Sequence, residues 1–202
     1  MNFIIASLVG YIFGSVPFAL IIGKVFYNTD VREHGSKNLG ASNAGRVLGK
    51  KAAFFIAFLD TSKAALAVGI AYLLYGQYVA IAAGIATSLG HCFPIFAKFK
   101  GGKAVSTAAG YLLALSALSG SVGWIIALTP IFTFFSLLKL FKMVSLASII
   151  SVTIATILLF LLQPNLWISL SFSLVAIIVI ARHHENIGRI MTGTERKIKW
   201  MG

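Results

Sequence analysis

The chain has 202 residues, 58% of them hydrophobic, and a mean hydropathy of +0.92, an apolar share well above that of a soluble domain. Seventeen Lys and Arg against five Asp and Glu give a formal charge of +12. The cations fall in short segments between apolar runs, which sets aside nucleic-acid binding and points to the positive-inside rule. The single cysteine, Cys92, excludes an internal disulfide and reads as a small apolar filler.

A helix needs about 20 mostly apolar residues to cross the hydrocarbon core. The N-terminus, Met1-Asn2-Phe3-Ile4-Ile5, lacks a basic n-region, so the first apolar run, about 3–27, reads as a retained span. Gly10 and Gly14 in that run form a small-xxx-small face suited to close helix packing. A polar segment follows at about 28–50, and the second and third runs, 52–75 and 78–97, are parted by Gly76-Gln77. Asp60 and Lys63 lie inside the second run at i and i+3; charges at that depth are paired or functional. A basic loop, Lys98 to Lys103, precedes the 35 uncharged residues 104–138. One helix of that length would measure about 52 Å, so the run must fold back, and Ser119-Gly120-Ser121-Val122-Gly123 is the expected break. Lys139 and Lys142 mark the next loop, the sixth run is 143–162, and the seventh, 166–181, leads into a basic tail, 182–202.

These runs predict an all-α polytopic membrane protein with seven transmembrane helices, the N-terminus outside and the C-terminus cytoplasmic. With that count, all 15 cations outside the runs fall on the cytoplasmic side, and only Lys24 and Lys63 lie within spans. Residues 1–202 are expected to form a single integral-membrane domain without an internal repeat.

Three cytoplasmic segments carry the polar chemistry. The first, Gly35-Ser36-Lys37-Asn38-Leu39-Gly40-Ala41-Ser42-Asn43-Ala44-Gly45-Arg46, combines small residues that let backbone N–H groups approach a ligand, neutral donors, and an Arg fork that fits phosphate. The second runs from Gly90-His91-Cys92-Phe93-Pro94 through Lys98 and Lys100 to Gly101-Gly102-Lys103. A Gly-Gly-Lys opening a helix is a reasonable anion cradle, because free N–H groups and the helix dipole point at bound charge. It is not a P-loop: Ala97 and Ala104 replace the Gly and the Ser/Thr that motif needs. In the third, Arg182-His183-His184-Glu185-Asn186-Ile187-Gly188-Arg189, a continuous seventh helix would place His183, Asn186 and Arg189 on one face. Glu195 with Arg196 and Lys197 reads as a solvated ion cluster. No metal site is expected, since the adjacent histidines lack further well-spaced ligands. The chain also lacks a Gly-x-Ser-x-Gly elbow, an acidic magnesium cluster, and the His-x-x-x-x-Asp dyad of thioester-dependent glycerolipid acyltransferases.

Taken in order, the three segments resemble the PlsY family, the bacterial membrane acyl-phosphate:glycerol-3-phosphate acyltransferases. The family motifs look like Gly-Ser-Gly-Asn-x-Gly-Ala-x-Asn-x-x-Arg, then Gly-His-x-x-Pro-x-Phe with Gly-Gly-Lys-Gly-Val-Ala-Thr, then Arg-His-x-x-Asn-Ile-x-Arg with Gly-Thr-Glu. They correspond here to 35–46, 90–107 and 182–195, and Leu59-Asp60-x-x-Lys63 and Ser145-Leu146-Ala147-Ser148 also look like family stretches. Lys37 and Ala104 stand where the family has Gly, and Ser106 where Ala is usual. Lys37 adds a cation and removes backbone freedom; Ala104 is expected to permit the helix start without loss of activity.

The resemblance implies a seven-helix fold without a cofactor, and acyl transfer from acyl phosphate to the 1-hydroxyl of glycerol 3-phosphate, giving lysophosphatidate and phosphate. It implies catalytic roles for Ser36, Arg46, Lys103, His183 and Asn186, and substrate or phosphate binding by Gly35, Asn38, Gly40, Asn43, Gly101, Gly102, Ser145 and Arg182. The expected partners are the two substrates, membrane lipid and the peripheral enzyme that makes acyl phosphate, with no nucleic acid, in a bacterial inner membrane with the site facing the cytoplasm. An acyl phosphate is a mixed anhydride with a good leaving group, so the task is positioning and electrostatic stabilisation rather than nucleophile activation. The competing reading is a membrane carrier of an organic phosphate, which would place its cations near the midplane between repeats.

Overall fold

The computed structural model describes residues 1–198 and, among them, contains helices and no strand. Lys199, part of the expected basic tail, lies outside the described residues. The chain groups into two compact units, Met1–Tyr111 and Leu112 onward.

In the first unit, α1 (Asn2–Ser15) and α2 (Phe18–Tyr27) are one apolar run broken at Val16-Pro17, because proline has no N–H to continue the helical ladder. The short α3 (Ala41–Val47) leads into α4 (Lys50–Tyr75), and α5 (Gln77–Cys92) follows directly after Gly76, whose φ of 81° is open to glycine at little cost. The expected small-residue face of α1 lies flush against α5. A Cβ on Gly10 would stand 2.6 Å from the Ala83 carbonyl oxygen, and one on Gly14 would stand 2.1 Å from that of Thr87. No side chain fits at either place, so the glycines permit close packing of the two helices.

The sixth helix, α6 (Val105–Ala117), begins in the first unit. The fold-back falls where the sequence predicts: α6 ends at Ala117, a 3-10 turn spans Gly120–Val122 with Gly120 at φ 60°, and α7 (Gly123–Phe141) starts next. The second unit continues with α8 (Val144–Leu162), α9 (Leu166–Ala181) and α10 (His184–Met191). Gln163 pins the turn by donating its amide to the Ser119 hydroxyl. Ile198 is buried with Leu138 and Ala147, and its N–H donates to the Lys142 carbonyl at 2.8 Å.

All seven expected apolar runs are helical. Five are long and apolar enough to cross a membrane: Asn2–Tyr27, Lys50–Tyr75, Gln77–Ala97, Gly120–Phe141 and Val144–Leu162. A sixth is the pair Leu166–Ala181 and His184–Met191, bent by 58°. The α6 helix has 13 residues, about 20 Å at the standard rise, against a core of about 30 Å. Large apolar side chains such as Phe3, Leu8, Phe58, Leu73, Trp124, Phe132, Leu161 and Ile177 are exposed on these helices, as expected where lipid is the solvent.

The seventh run does not continue straight into the tail. The Arg182 and His183 N–H groups still bond back to Ile178 and Ile180, but the chain turns before α10. His183 therefore caps α10 from outside it, and the single continuous face expected for His183, Asn186 and Arg189 is broken at its first member.

Candidate active site

The loop between α2 and α3 is built around Asn43, which is buried on the first turn of α3. Its amide nitrogen donates to the carbonyls of Val31 at 2.8 Å and His34 at 3.2 Å, and its oxygen accepts the Ser36 N–H at 2.6 Å. Gly35 sits at φ 61°, where a Cβ would lie 2.4 Å from Asn43 Oδ1, so glycine is required by both conformation and space. Val31 and Leu39 tuck into the core beside Ala19, Ile22 and Ile56. The loop is thus fixed from within and presents Ser36 at its exposed crest. Asn43, expected to bind phosphate, has its polar atoms engaged by backbone and holds this shape.

Arg32 forks onto Asp30 at 2.6 and 2.9 Å, with Lys24 at 3.5 Å. The Arg32 hydrogen bonds hold the Asp30 carboxyl well below the usual carboxylate range against the opposing effect of burial. Gly40 caps α3, its carbonyl accepting the N–H groups of Asn43 and Ala44. Arg46 lies half-buried in the last turn of α3.

Asn38 reaches across to the second segment, donating to the Gly101 carbonyl at 3.4 Å. The first two of the three polar segments therefore meet within this unit. Their contact revises the expected anion cradle. The Gly101 N–H donates to the Cys92 carbonyl at 3.1 Å and the Gly102 N–H to the His91 carbonyl at 3.0 Å. These two amides close off the carbonyl end of α5 and are not aimed at an anion. What the segment offers an anion is the half-buried Lys103 and the first turn of α6, whose N–H groups have no acceptor within the helix. Cys92 is buried, as a filler should be.

Lys37 and Ala104, the two residues standing where the related motifs have glycine, both adopt the left-handed conformation, at φ 58° and 59°. That region costs a residue with a Cβ roughly 1–2 kcal/mol, which explains the family glycines. The backbone shape survives both replacements.

Inside the spans, the Lys63 ammonium lies 2.6 Å from Asp60 Oδ1, donates to the Val16 carbonyl at 2.9 Å, contacts His91 Nδ1 at 3.2 Å, and stands over the Phe18 ring at 5.4 Å. The pair expected from i, i+3 spacing is thus present. It also bonds to the carbonyl at the break between α1 and α2, and gains His91 as a third member that spacing alone did not indicate.

In the second unit the organising group is Glu195, only 7% exposed. It accepts from Ser145 Oγ at 2.7 Å, Asn186 Nδ2 at 2.7 Å and Arg189 Nε at 2.8 Å. Burial would raise this carboxyl, but the hydrogen bonds from Ser145, Asn186 and Arg189 outweigh it, and the group titrates below the ordinary glutamate range. The expected solvated cluster is therefore wrong for Glu195. The one signal the sequence held is that it is one of five acidic residues in a cation-rich chain. Ser145, expected to bind phosphate, donates its hydroxyl to this carboxylate. Asn186 is buried and oriented by the same carboxylate.

His183 is buried, with Nδ1 2.7 Å from the Val179 carbonyl. A carbonyl only accepts, so Nδ1 carries a proton. Arg182 is half-buried at the end of α9.

An all-helical membrane-spanning chain with buried, preorganised donors and cations at loop and helix ends defines a class of integral membrane proteins that handle anionic substrates. The family model for glycerol-3-phosphate acyltransferase matches residues 4–193. A glycerol-3-phosphate acyltransferase of Bacillus cytotoxicus is 42% identical over 190 residues, covering 94% of this chain and 92% of that protein. One of Exiguobacterium sibiricum is 43% identical over 191 residues, covering 95% and 91%. The crystal structure of PlsY, an integral membrane glycerol 3-phosphate acyltransferase, in its glycerol 3-phosphate form superposes with a TM-score of 0.90 at 33% identity, covering 98% of this chain and 96% of that one. Its lysophosphatidic acid form gives 0.88 at 32% identity. The chain belongs to the glycerol-3-phosphate acyltransferase (PlsY) family.

Proposed function

We propose that this chain is a bacterial plasma-membrane enzyme that transfers a fatty acyl group from acyl phosphate to the 1-hydroxyl of glycerol 3-phosphate. The products are 1-acyl-glycerol 3-phosphate and inorganic phosphate. All of 1–202 serves this activity as one domain, with seven membrane crossings, the N-terminus outside, and the cationic segments and tail in the cytoplasm, where a peripheral enzyme supplies the acyl phosphate.

The observation that carries the reading is the state of the acids. The three buried or half-buried carboxylates, Asp30, Asp60 and Glu195, are each already paired with a cation. The carboxylate–histidine approach among the described residues, Asp60 to His91 at 3.5 Å, is bridged by Lys63 inside the span and is engaged as an ion cluster, and an acyl phosphate does not need a dyad. The glycerol hydroxyl oxygen bonds to the acyl carbon, the acyl C–O bond to phosphate breaks, and the phosphate leaves with the electron pair and takes the hydroxyl proton. Charge grows on the carbonyl oxygen and on the leaving phosphate, so fixed cations and N–H donors lower the barrier most.

Ser36, Asn38, Arg46 and Lys103, with the first-turn amides of α6, hold phosphate groups in this reading. His183, its Nδ1 held on the Val179 carbonyl, orients glycerol 3-phosphate or the reacting carbonyl. Asn186, set by Glu195, positions glycerol 3-phosphate. Arg46→Ala or Lys103→Ala should lower turnover by two orders of magnitude or more, by analogy with loss of a preorganised charge at a transition state, and leave a folded protein. Wild-type rates in both variants would remove these residues from the site. In proteoliposomes, phosphate-ester flux without acylation would identify a carrier instead.

A further inference from the structure

The Asp60–Lys63–His91 cluster takes no part in the chemistry above, yet it is buried and adjoins the segment that carries Lys103. The exposures are 1%, 5% and 7%. Lys63 Nζ lies 3.2 Å and Asp60 Oδ1 3.5 Å from His91 Nδ1, so the ion pair holds the ring at Nδ1, away from its Nε2 edge. That Nε2 edge faces Gly102 so closely that a Cβ there would lie 2.0 Å from it. The Gly102 N–H is bonded to the carbonyl of His91 itself at 3.0 Å. Gly101 is held in the same way, by Cys92 and against the Pro94 ring. Lys103 is the next residue.

We propose that His91 is a positioning residue: its ring, fixed at Nδ1 by the ion pair inside the membrane, is the wall against which Gly102 packs, and this contact sets the place of Lys103. The structural half of the proposal stands on the geometry alone; the functional half rests on the acyl-transfer reading. The cluster thus has two roles. On one side Lys63 bonds to the carbonyl at the break in the first span, and on the other His91 registers the glycine pair. A misplacement of about 1 Å at a phosphate-holding cation is enough to cost roughly a hundredfold in rate.

His91→Asn separates fold from register. The Asn oxygen occupies the position of Nδ1 and can still accept from Lys63, while the ring edge facing Gly102 is removed. In detergent, amide hydrogen exchange at residues 101–103 should quicken about tenfold or more, with the α4 and α5 amides unchanged. Turnover with acyl phosphate should fall at least about tenfold. Gly102→Ala should cost at least about tenfold in the wild-type background and less than about twofold in His91→Asn, because the clash is with the ring. Unchanged exchange at 101–103, or an equal cost of Gly102→Ala in both backgrounds, overturns the proposal. Exchange is read without substrate, so a wild-type protein that forms no lysophosphatidate removes the functional reading while exchange still decides the role of His91.

Discussion

Replacing Glu195 should collapse the third polar segment. The carboxylate takes three short bonds, two on Oε1 from Ser145 and Asn186 at 2.7 Å and one on Oε2 from Arg189 at 2.8 Å. Hydrogen bonds to a charged group contribute about 1.5–3 kcal/mol each, and removing one partner of a buried pair costs roughly 3–5 kcal/mol because the other groups are left without acceptors. Glu195→Ala should therefore lose about 3–5 kcal/mol. Glu195→Gln should lose about half that, since its oxygen can still accept from Ser145 and Asn186 while its NH2 meets the Arg189 donor. At roughly 2–4 °C per kcal/mol for a chain of this size, the Ala variant should melt about 6–20 °C below wild type in detergent. The pH dependence supplies a second check. The folded pKa is depressed below the ordinary glutamate range, so the stabilisation is fully present above the unfolded pKa and is lost as pH falls through the folded one. Wild type should lose its margin over Glu195→Gln only below about pH 4. A Glu195→Ala protein within about 0.5 kcal/mol of wild type, the range of an inconsequential surface change, would refute the central place given to this carboxylate.

Other outcomes follow from the same geometry. Asn43→Ala leaves the Val31 and His34 carbonyls and the Ser36 N–H without their partner, which should cost about 1–3 kcal/mol and lower turnover through displacement of Ser36. Asn43→Asp should do no better, because it sets an oxygen against two carbonyls; both are read by denaturation and by acyl-transfer rate. Lys37→Gly relieves left-handed strain at an exposed site and should raise stability by about 1 kcal/mol. Ala104→Gly should gain less, since a buried methyl worth about 0.8 kcal/mol is lost with the strain; thermal melts of the two variants test the difference.

Much of the fold was legible because its signals are local. Apolar runs marked every long helix and Gly120 marked the fold-back through a conformation glycine adopts readily, whereas the break at Val16-Pro17 falls inside an apolar run that reads as one span. The Gly10 and Gly14 spacing marked a close-packing face, which the structure sets against α5, and the i, i+3 spacing marked the Asp60–Lys63 pair. The misses share a cause, which is that partners distant in sequence decide what a polar group does. Ser145 and Glu195 are 50 residues apart, so neither the burial of the glutamate nor the commitment of the serine proton is written nearby. Gly101 and Gly102 looked like anion donors because their amides were assumed open, yet the end of α5 needed them. The length of α6 and the bend before α10 depend on tertiary packing, which a hydropathy run does not encode.

The most direct test of the account is a product analysis with purified protein in detergent, offering glycerol 3-phosphate with either palmitoyl phosphate or palmitoyl-CoA. The account predicts 1-acyl-glycerol 3-phosphate and inorganic phosphate in equal amounts from the acyl phosphate, and no comparable transfer from the thioester. Transfer from the thioester at an equal or higher rate, or no acylation from acyl phosphate by folded protein, would contradict it.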